Sequence, residues 1–424
     1  MNFKLKYGND FKEFGLDERN YLGTLDIAYT PGLENPAQSI QHALENPIGT
    51  PPLKEIVQKK KAKNAVIVLS DITRGVPYKQ GHYNSLLILA EELEKAGITK
   101  NNITFLVGTG THRKHTEEES ILCYGKEIVS QYSVEFHDAD NNIVSIGTTS
   151  FGNEIFINKR AYDADLLIFT GMITTHYFAG YSGGRKALLP SIAGRSSIRK
   201  NHAMIVRDGV GIGKLKGNPI AEELAEAARL READFLMNFL VNAKKEIVHI
   251  VSGHYEKAFH EGVKKCNELY SVPFKEHADL VIASCGGFPK DSNITQIQKT
   301  INNAKELAKP GGTVLIIAKC QEGIGENKAF GNWLSSLKNL ENLIQIQEDT
   351  IELGQYTAMN TSKLQRKYRI VILSELPQDE LEKYNFLWTS SIDSTIKNCK
   401  ELYGNDFKTY VVPNGGLIYP KLVR

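Results

Sequence analysis

A chain of 424 residues is long for one hydrophobic core, and the length predicts two domains. Hydrophobic residues make up 41% and charged residues 24%, and 51 Lys+Arg against 49 Asp+Glu leave a net charge of +2. That balance argues against recruitment by nucleic acid or a membrane surface through bulk charge.

The five cysteines are scattered, with no Cys-x-x-Cys. They signal neither a disulfide framework nor a thiolate zinc site, and they suit a reducing cytoplasm. The opening "MNFKLKYGND" lacks the apolar core of a signal peptide, and no apolar run approaches the roughly 20 residues that span a bilayer. The expectation is a soluble cytoplasmic protein.

In chain order, "QKKKAK" (58–63) reads as a solvated helix end. "NAVIVLSD" (64–71) is a buried strand, "NSLLILAEELEKAG" (84–97) an amphipathic helix and "NITFLVGTG" (102–110) the next strand. "TEEESILCYGKEIVSQY" (116–132) follows as a helix with its acidic residues at the N-terminal end, as the macrodipole favours. "ADLLIFTGMI" (164–173) is a third strand. Two stretches read as hairpins, 141–160 and "FLMNFLVNAKKEIVHIVSG" (235–253).

After the helix "EKAFHEGVKKCNELY" a fresh β-α series begins: strands at 278–287, 310–320, 368–376 and 409–416, with a helix at about 293–308. The expected fold is α/β, two domains, each a mainly parallel doubly wound sheet of Rossmann-like type, with added β-hairpins in the first. The expected boundaries are 1–270 and 271–424, with the tail near 410–424 packing back on the first domain.

Ligands of open α/β sheets bind beyond the carboxyl ends of the strands. Those ends carry Asp71 and Arg74, then His112 and Arg113, then His176 with Gly183, Gly184, Arg185 and Lys186. The second domain adds Lys290, Asp291, Gln296 and Lys299. Each has an ordinary structural reading. Asp71 with Arg74 is by itself a local ion pair, His112 and His115 belong to a polar helix start, and "SGGRK" is a tight turn. His202 reads alone as a satisfied helix histidine, and His137, His249, His254, His260 and His277 have no companions. "GTGTHR" lacks the third glycine and the later acidic residue of a dinucleotide loop, and no His-x-x-x-His metal motif occurs.

Taken together, Asp71-x-x-Arg74, Gly110-Thr111-His112-Arg113, the segment His176 to Lys186, His202 sixteen residues later, and Gln296-x-x-Lys299 resemble the nickel-dependent lactate racemase family. The resemblance implies a cytoplasmic isomerase carrying nickel in a nickel-pincer nucleotide (pyridinium-3-thioamide-5-thiocarboxylic acid mononucleotide). It implies that Lys186 holds that nucleotide covalently through a thioamide and that His202 is the one protein ligand to nickel. A nickel site of two sulfurs and a ring carbon then needs no metal motif of its own. Gly183 and Gly184 would let the backbone approach the cofactor, with Arg185 a secondary candidate for its phosphate. Asp71 would lie beside the cofactor and orient a histidine.

The implied reaction inverts the 2-carbon of a 2-hydroxy acid, lactate or a related acid, by reversible hydride transfer to the cofactor. His112 and His176 are the implied acid/base pair, and Arg74, Gln296 and Lys299 the substrate contacts. Proteins that make the cofactor and insert nickel would be its partners. Two positions depart from the lactate-acting members. Thr295 stands where they have tyrosine, and neither Trp333 nor Trp388 matches their cofactor-facing tryptophan, for which Tyr356 is the candidate. Two other readings are a nicotinamide-dependent 2-hydroxy-acid dehydrogenase, which needs the missing dinucleotide fingerprint, and a non-catalytic binding protein, which would have lost the lysine and histidines retained here.

Overall fold

The run Ala65–Leu69 is apolar at every position and can present no wet face; in the computed structural model all five residues are buried. The structure describes residues 1–325, 328–337 and 354–423. Counting only the strands of the two large sheets, the chain supplies β1 (Tyr21–Thr24), β2 (Ala65–Ser70), β3 (Ile103–Gly108), β4 (Ser133–Phe136), β5 (Leu166–Met172), β6 (Phe235–Val241) and β7 (Ile247–Gly253). β8 (Ala278–Ser284), β9 (Ala308–Ile317), β10 (Arg369–Leu373), β11 (Leu387–Trp388) and β12 (Thr409–Val412) follow.

Two compact units result: Tyr29–Glu268, and Met1–Ala28 together with Leu269 onward. In the first, the sheet order is β7-β6-β5-β2-β3-β4. All pairs are parallel except β6 with β7, so the hairpin expected at 235–253 extends the parallel sheet. The hairpin expected at 141–160 also forms, as a separate antiparallel pair, Ile143–Thr148 with Glu154–Asn158. Short strand β4 was not expected. The 116–132 segment breaks at Gly125 into α2 (Glu117–Tyr124), after α1 (Ser85–Lys95), and a short turn of helix, and β4 follows directly. Because β2 pairs with β3 on one side and β5 on the other, the connections after β2 and β5 flank the point where the strand order reverses, the usual ligand crevice of such a sheet.

In the other unit the order is β11-β10-β9-β8-β12-β1, parallel throughout. Here the expected boundaries need correction. The first 28 residues join this unit: β1 pairs with β12, and the hairpin Asn2–Tyr7/Asp10–Gly15 puts Leu5, Tyr7 and Phe14 into its core. Tyr419–Leu422 pairs with Ser271–Phe274, inside the second unit. Asp291, one of the strand-end candidates, is fully buried and accepts from the backbone N–H of Gly8 at 2.6 Å, fastening that hairpin.

Candidate functional site

Strand β2 ends at Ser70, whose N–H donates to the buried Tyr78 hydroxyl (2.9 Å) and whose carbonyl accepts from the Tyr124 hydroxyl (2.9 Å). Tyr78 also bonds Thr170 of β5 (2.8 Å), so two neighbouring strand ends are fixed to each other before the polar residues begin. Asp71 comes next, buried, accepting from Nδ1 of His112 at 2.5 Å and from the Thr73 hydroxyl at 2.6 Å. Burial works to raise the Asp71 carboxyl. The hydrogen bond from His112, the charge of Arg74 and the bond from Thr73 outweigh it and hold the group below the ordinary carboxylate range. With Nδ1–H donated to Asp71, Nε2 of His112 carries the lone pair on a half-exposed ring.

His115, read from sequence as a capping residue, has a structural role instead. Its Nε2 accepts the backbone N–H of Ile72 at 3.0 Å, and its ring packs on Tyr124 (5.9 Å, stacked) and Phe136 (5.5 Å, edge-on). Burial lowers its pKa and keeps it the neutral acceptor this bond needs. Its sequence signal is only its place three residues after His112; the partner is 43 residues away.

Beyond β5 the chain makes a small hairpin, Thr175–His176 with Gly180–Tyr181, then the glycine turn into a 3₁₀ helix, Gly184–Ala187. Phe178, at the hairpin tip, is buried and gathers three of the candidates. The His176 ring meets it at 4.4 Å and the His202 ring at 4.9 Å, both edge-on, and the Lys186 amine nitrogen lies 5.4 Å from its centroid. Nδ1 of His176 accepts from the Ala179 N–H at 3.3 Å, the opposite arrangement to His112.

Lys186 is buried, and burial, then Arg74, then Arg185 hold its amine well below the ordinary lysine value. His202 is drawn down to about 3 by burial, Lys186 and Arg74. The His202 imidazole is therefore neutral at neutral pH. His202 sits in the last turn of α3 (Arg195–Ala203), where its Nδ1 donates to Asn201 Oδ1 at 3.1 Å. Asn201 Nδ2 donates to buried Glu223 (2.7 Å) on α4 (Pro219–Leu230), and Glu223 accepts from Thr149 (2.9 Å). This chain sets the Asn201 amide, which sets the imidazole so that Nε2 bears the lone pair.

Asp71, Arg74, His112, His176, Lys186 and His202 thus come together by hydrogen bond, ring contact or mutual charge within one unit. The turn's glycines are also fixed by packing within the unit. Gly183 (φ +74°) and Gly184 (φ +55°) lie in the left-handed region, and a Cβ on Gly183 would stand 2.8 Å from Asn238 of β6, while one on Gly184 would strike the Phe259 ring. Asn238 also accepts the Gly184 N–H at 2.8 Å. Packing of the turn on its own unit therefore demands glycine here. Arg185 donates to the Ala179 carbonyl (3.0 Å), and Arg113 forms a two-pronged pair with Glu119 (2.7 and 2.6 Å) at the start of α2. Gln296 and Lys299 belong to the other unit. They are exposed, one turn apart on α6 (Ile294–Ala304, with α5 at Tyr255–Tyr270), and Asn293 caps that helix through the Gln296 N–H at 2.9 Å. Trp388 is partly exposed on edge strand β11, and Tyr356 lies in the helix Gln355–Lys367.

Among the described residues no group of three or more His, Cys, Asp and Glu is placed to hold a metal alone, and no helix is long and apolar enough to cross a membrane. Residues 7–213 match the lactate racemase N-terminal domain, and residues 274–418 the lactate racemase C-terminal domain. The chain belongs to the lactate racemase family. A lactate racemase of Thermoanaerobacterium thermosaccharolyticum is 32% identical over 98% of both chains, and one of Lactiplantibacillus plantarum is 31% identical over 94% of this chain and 95% of that one. The structure of the T. thermosaccharolyticum apoprotein superposes with a TM-score of 0.91 at 30% identity, covering 99% of this chain and all of that one. A Thermotoga maritima structure, 18% identical with a TM-score of 0.65, shares the fold. Family membership makes the chain an isomerase of α/β architecture.

Proposed function

We propose that this chain inverts the 2-carbon of a 2-hydroxy acid, lactate or a related acid, with a nickel-pincer nucleotide on Lys186. The observation that carries the reading is the cluster on Phe178, where a buried amine, a buried imidazole of fixed tautomer and a second histidine share one aromatic ring. Burial that lowers the Lys186 pKa favours the uncharged amine, the form that acts as a nucleophile and can form an amide-type bond. His202 offers Nε2 as a borderline donor suited to nickel, and its hydrogen bond through Asn201 to Glu223 is the outer support that metal-bound histidines ordinarily have. When bound, the nucleotide would accept and return the hydride of the substrate 2-carbon.

The remaining work falls to side chains of this chain. Nε2 of His112 takes the hydroxyl proton from one enantiomer, with Asp71 stabilising the imidazolium that results. His176 does the same for the other enantiomer, so the proton can leave and return on either face. Arg74 holds the substrate carboxylate through its planar fork. The five cysteines form no disulfide, which suits a reducing cytoplasm shared with the proteins that make the nucleotide and insert nickel.

Protein produced with those partners is expected to carry an intact-mass adduct that Lys186→Ala removes; unmodified wild type refutes the cofactor assignment. Chiral chromatography of a panel of 2-hydroxy acids identifies the substrate. In Arg74→Ala, kcat/KM is expected to fall by about 10²-fold or more, the value of a desolvated charged contact, and unchanged kinetics would remove Arg74 from the site.

A further inference from the structure

Arg185 adjoins Lys186 in sequence but packs among different residues. Its guanidinium lies 4.6 Å over the Phe259 ring, Nη2 donates to the Ala179 carbonyl, and Nη1 is buried with no hydrogen-bond partner. The residue is 5% exposed and has no carboxylate partner among the described residues. Burying an unpaired cation is costly, and one carbonyl with one aromatic face offsets only part of that.

The same guanidinium lines a cavity of about 90 Å³. One wall is a stripe of α4, where Ala221, Ala225 and Ala228 recur at helical spacing; Phe259 of α5 forms another, and the exposed Glu222 and His260 lie at the rim. Both glutamates of the lining are engaged elsewhere: Glu222 accepts the Gly217 N–H (2.7 Å) and Glu256 pairs with Arg229 (3.5 Å). The cavity therefore has one unsatisfied buried donor, apolar walls and no competing anion bound to that donor. At about 30 Å³ per water, its volume holds about three waters or a short acid of four to six heavy atoms.

The geometry points to this cavity as a binding site for a short-chain monocarboxylate, its carboxylate on Nη1 of Arg185 and its aliphatic end against the α4 alanines and Phe259. None of Asp71, Arg74, His112, His176, Lys186 and His202 lines it, so it is separate from the proposed catalytic cluster. Propionate is the probe. The full-length chain carries Arg74→Ala in every arm, which removes the proposed substrate clamp and restricts the reading to the second site. Propionate is expected to raise the melting temperature saturably, on the order of 2 °C, with sodium chloride at equal ionic strength giving no such rise. Ala225→Leu fills the cavity while leaving Arg185 and its bond to Ala179 in place, and is expected to weaken the apparent Kd at least tenfold. Arg185→Met, of similar length without the charge, is expected to do the same. An undiminished response in Ala225→Leu, an equal response to chloride, or no response to propionate would each overturn the assignment.

Discussion

His115 shows how a single residue can govern a site it does not enter. By accepting the Ile72 N–H it holds the loop that carries Asp71 and Arg74. His115→Ala is expected to lower kcat/KM by about tenfold, the worth of one buried hydrogen bond, mainly through KM, while His115→Gln, which keeps an acceptor, restores most of it. Steady-state kinetics on both variants separate this from general loss of structure. Asp71→Asn retains size and loses charge; kcat is expected to drop about 10²-fold, as for loss of general-base support. The double variant with His112→Asn should be far from additive, because both act on one proton. Buried His202 and His137 and half-buried His115 all have depressed pKa values. The unfolded chain takes up protons below about pH 6.5, where these native imidazoles do not. Their stabilisation is thus complete above that pH and lost as pH falls, down to about 3 for His202, with up to ~1.4 kcal/mol per pH unit for each group. Urea unfolding between pH 7.5 and 4.5 should show this slope, and His202→Leu should flatten it.

At the scale of elements, the glycine turn after β5 is held by β6 and α5 through Asn238 and Phe259, and it aligns Lys186 with Phe178. Gly184→Ala must adopt a left-handed backbone and displace the Phe259 ring, so a loss of about 1–3 kcal/mol is expected, read as a lowered melting temperature together with reduced adduct formation at Lys186. The turn's glycines are visible in the sequence, and their reason is not, since Asn238 and Phe259 lie 54 and 75 positions beyond Gly184. Gly125 behaves differently: it is a local helix break, and the short helix after it leads into β4, a strand of four residues with weak alternation that periodicity does not separate from the helix before it.

At the scale of the whole molecule, the first 28 residues complete the sheet and core of the unit that begins again at Leu269. A chain beginning at Tyr29 loses β1 from the sheet edge and Leu5, Tyr7 and Phe14 from the core. It is expected to be insoluble, or to be cleaved by protease within 269–424 much faster than the full chain, which limited proteolysis with mass mapping measures. The fragment 271–424, cut at the boundary that sequence position suggests, lacks the same residues and is expected to fail in the same way.

The α/β alternation, the two units and the strand ends that carry Asp71, His112, His176 and Lys186 are all determined locally, because a strand buried on both faces and an amphipathic helix impose their patterns over a few residues. Even the family resemblance rests on short motifs at set intervals. Only the tertiary structure decides which strands pair, and so where residues 1–28 belong, since backbone hydrogen bonds between strands carry no sequence label. It alone also converts His202 from an ordinary helix histidine into a buried neutral imidazole, and Lys186 into a buried amine of lowered pKa. Burial and the charge of Arg74 shift both groups, and each depends on neighbours far away in the chain.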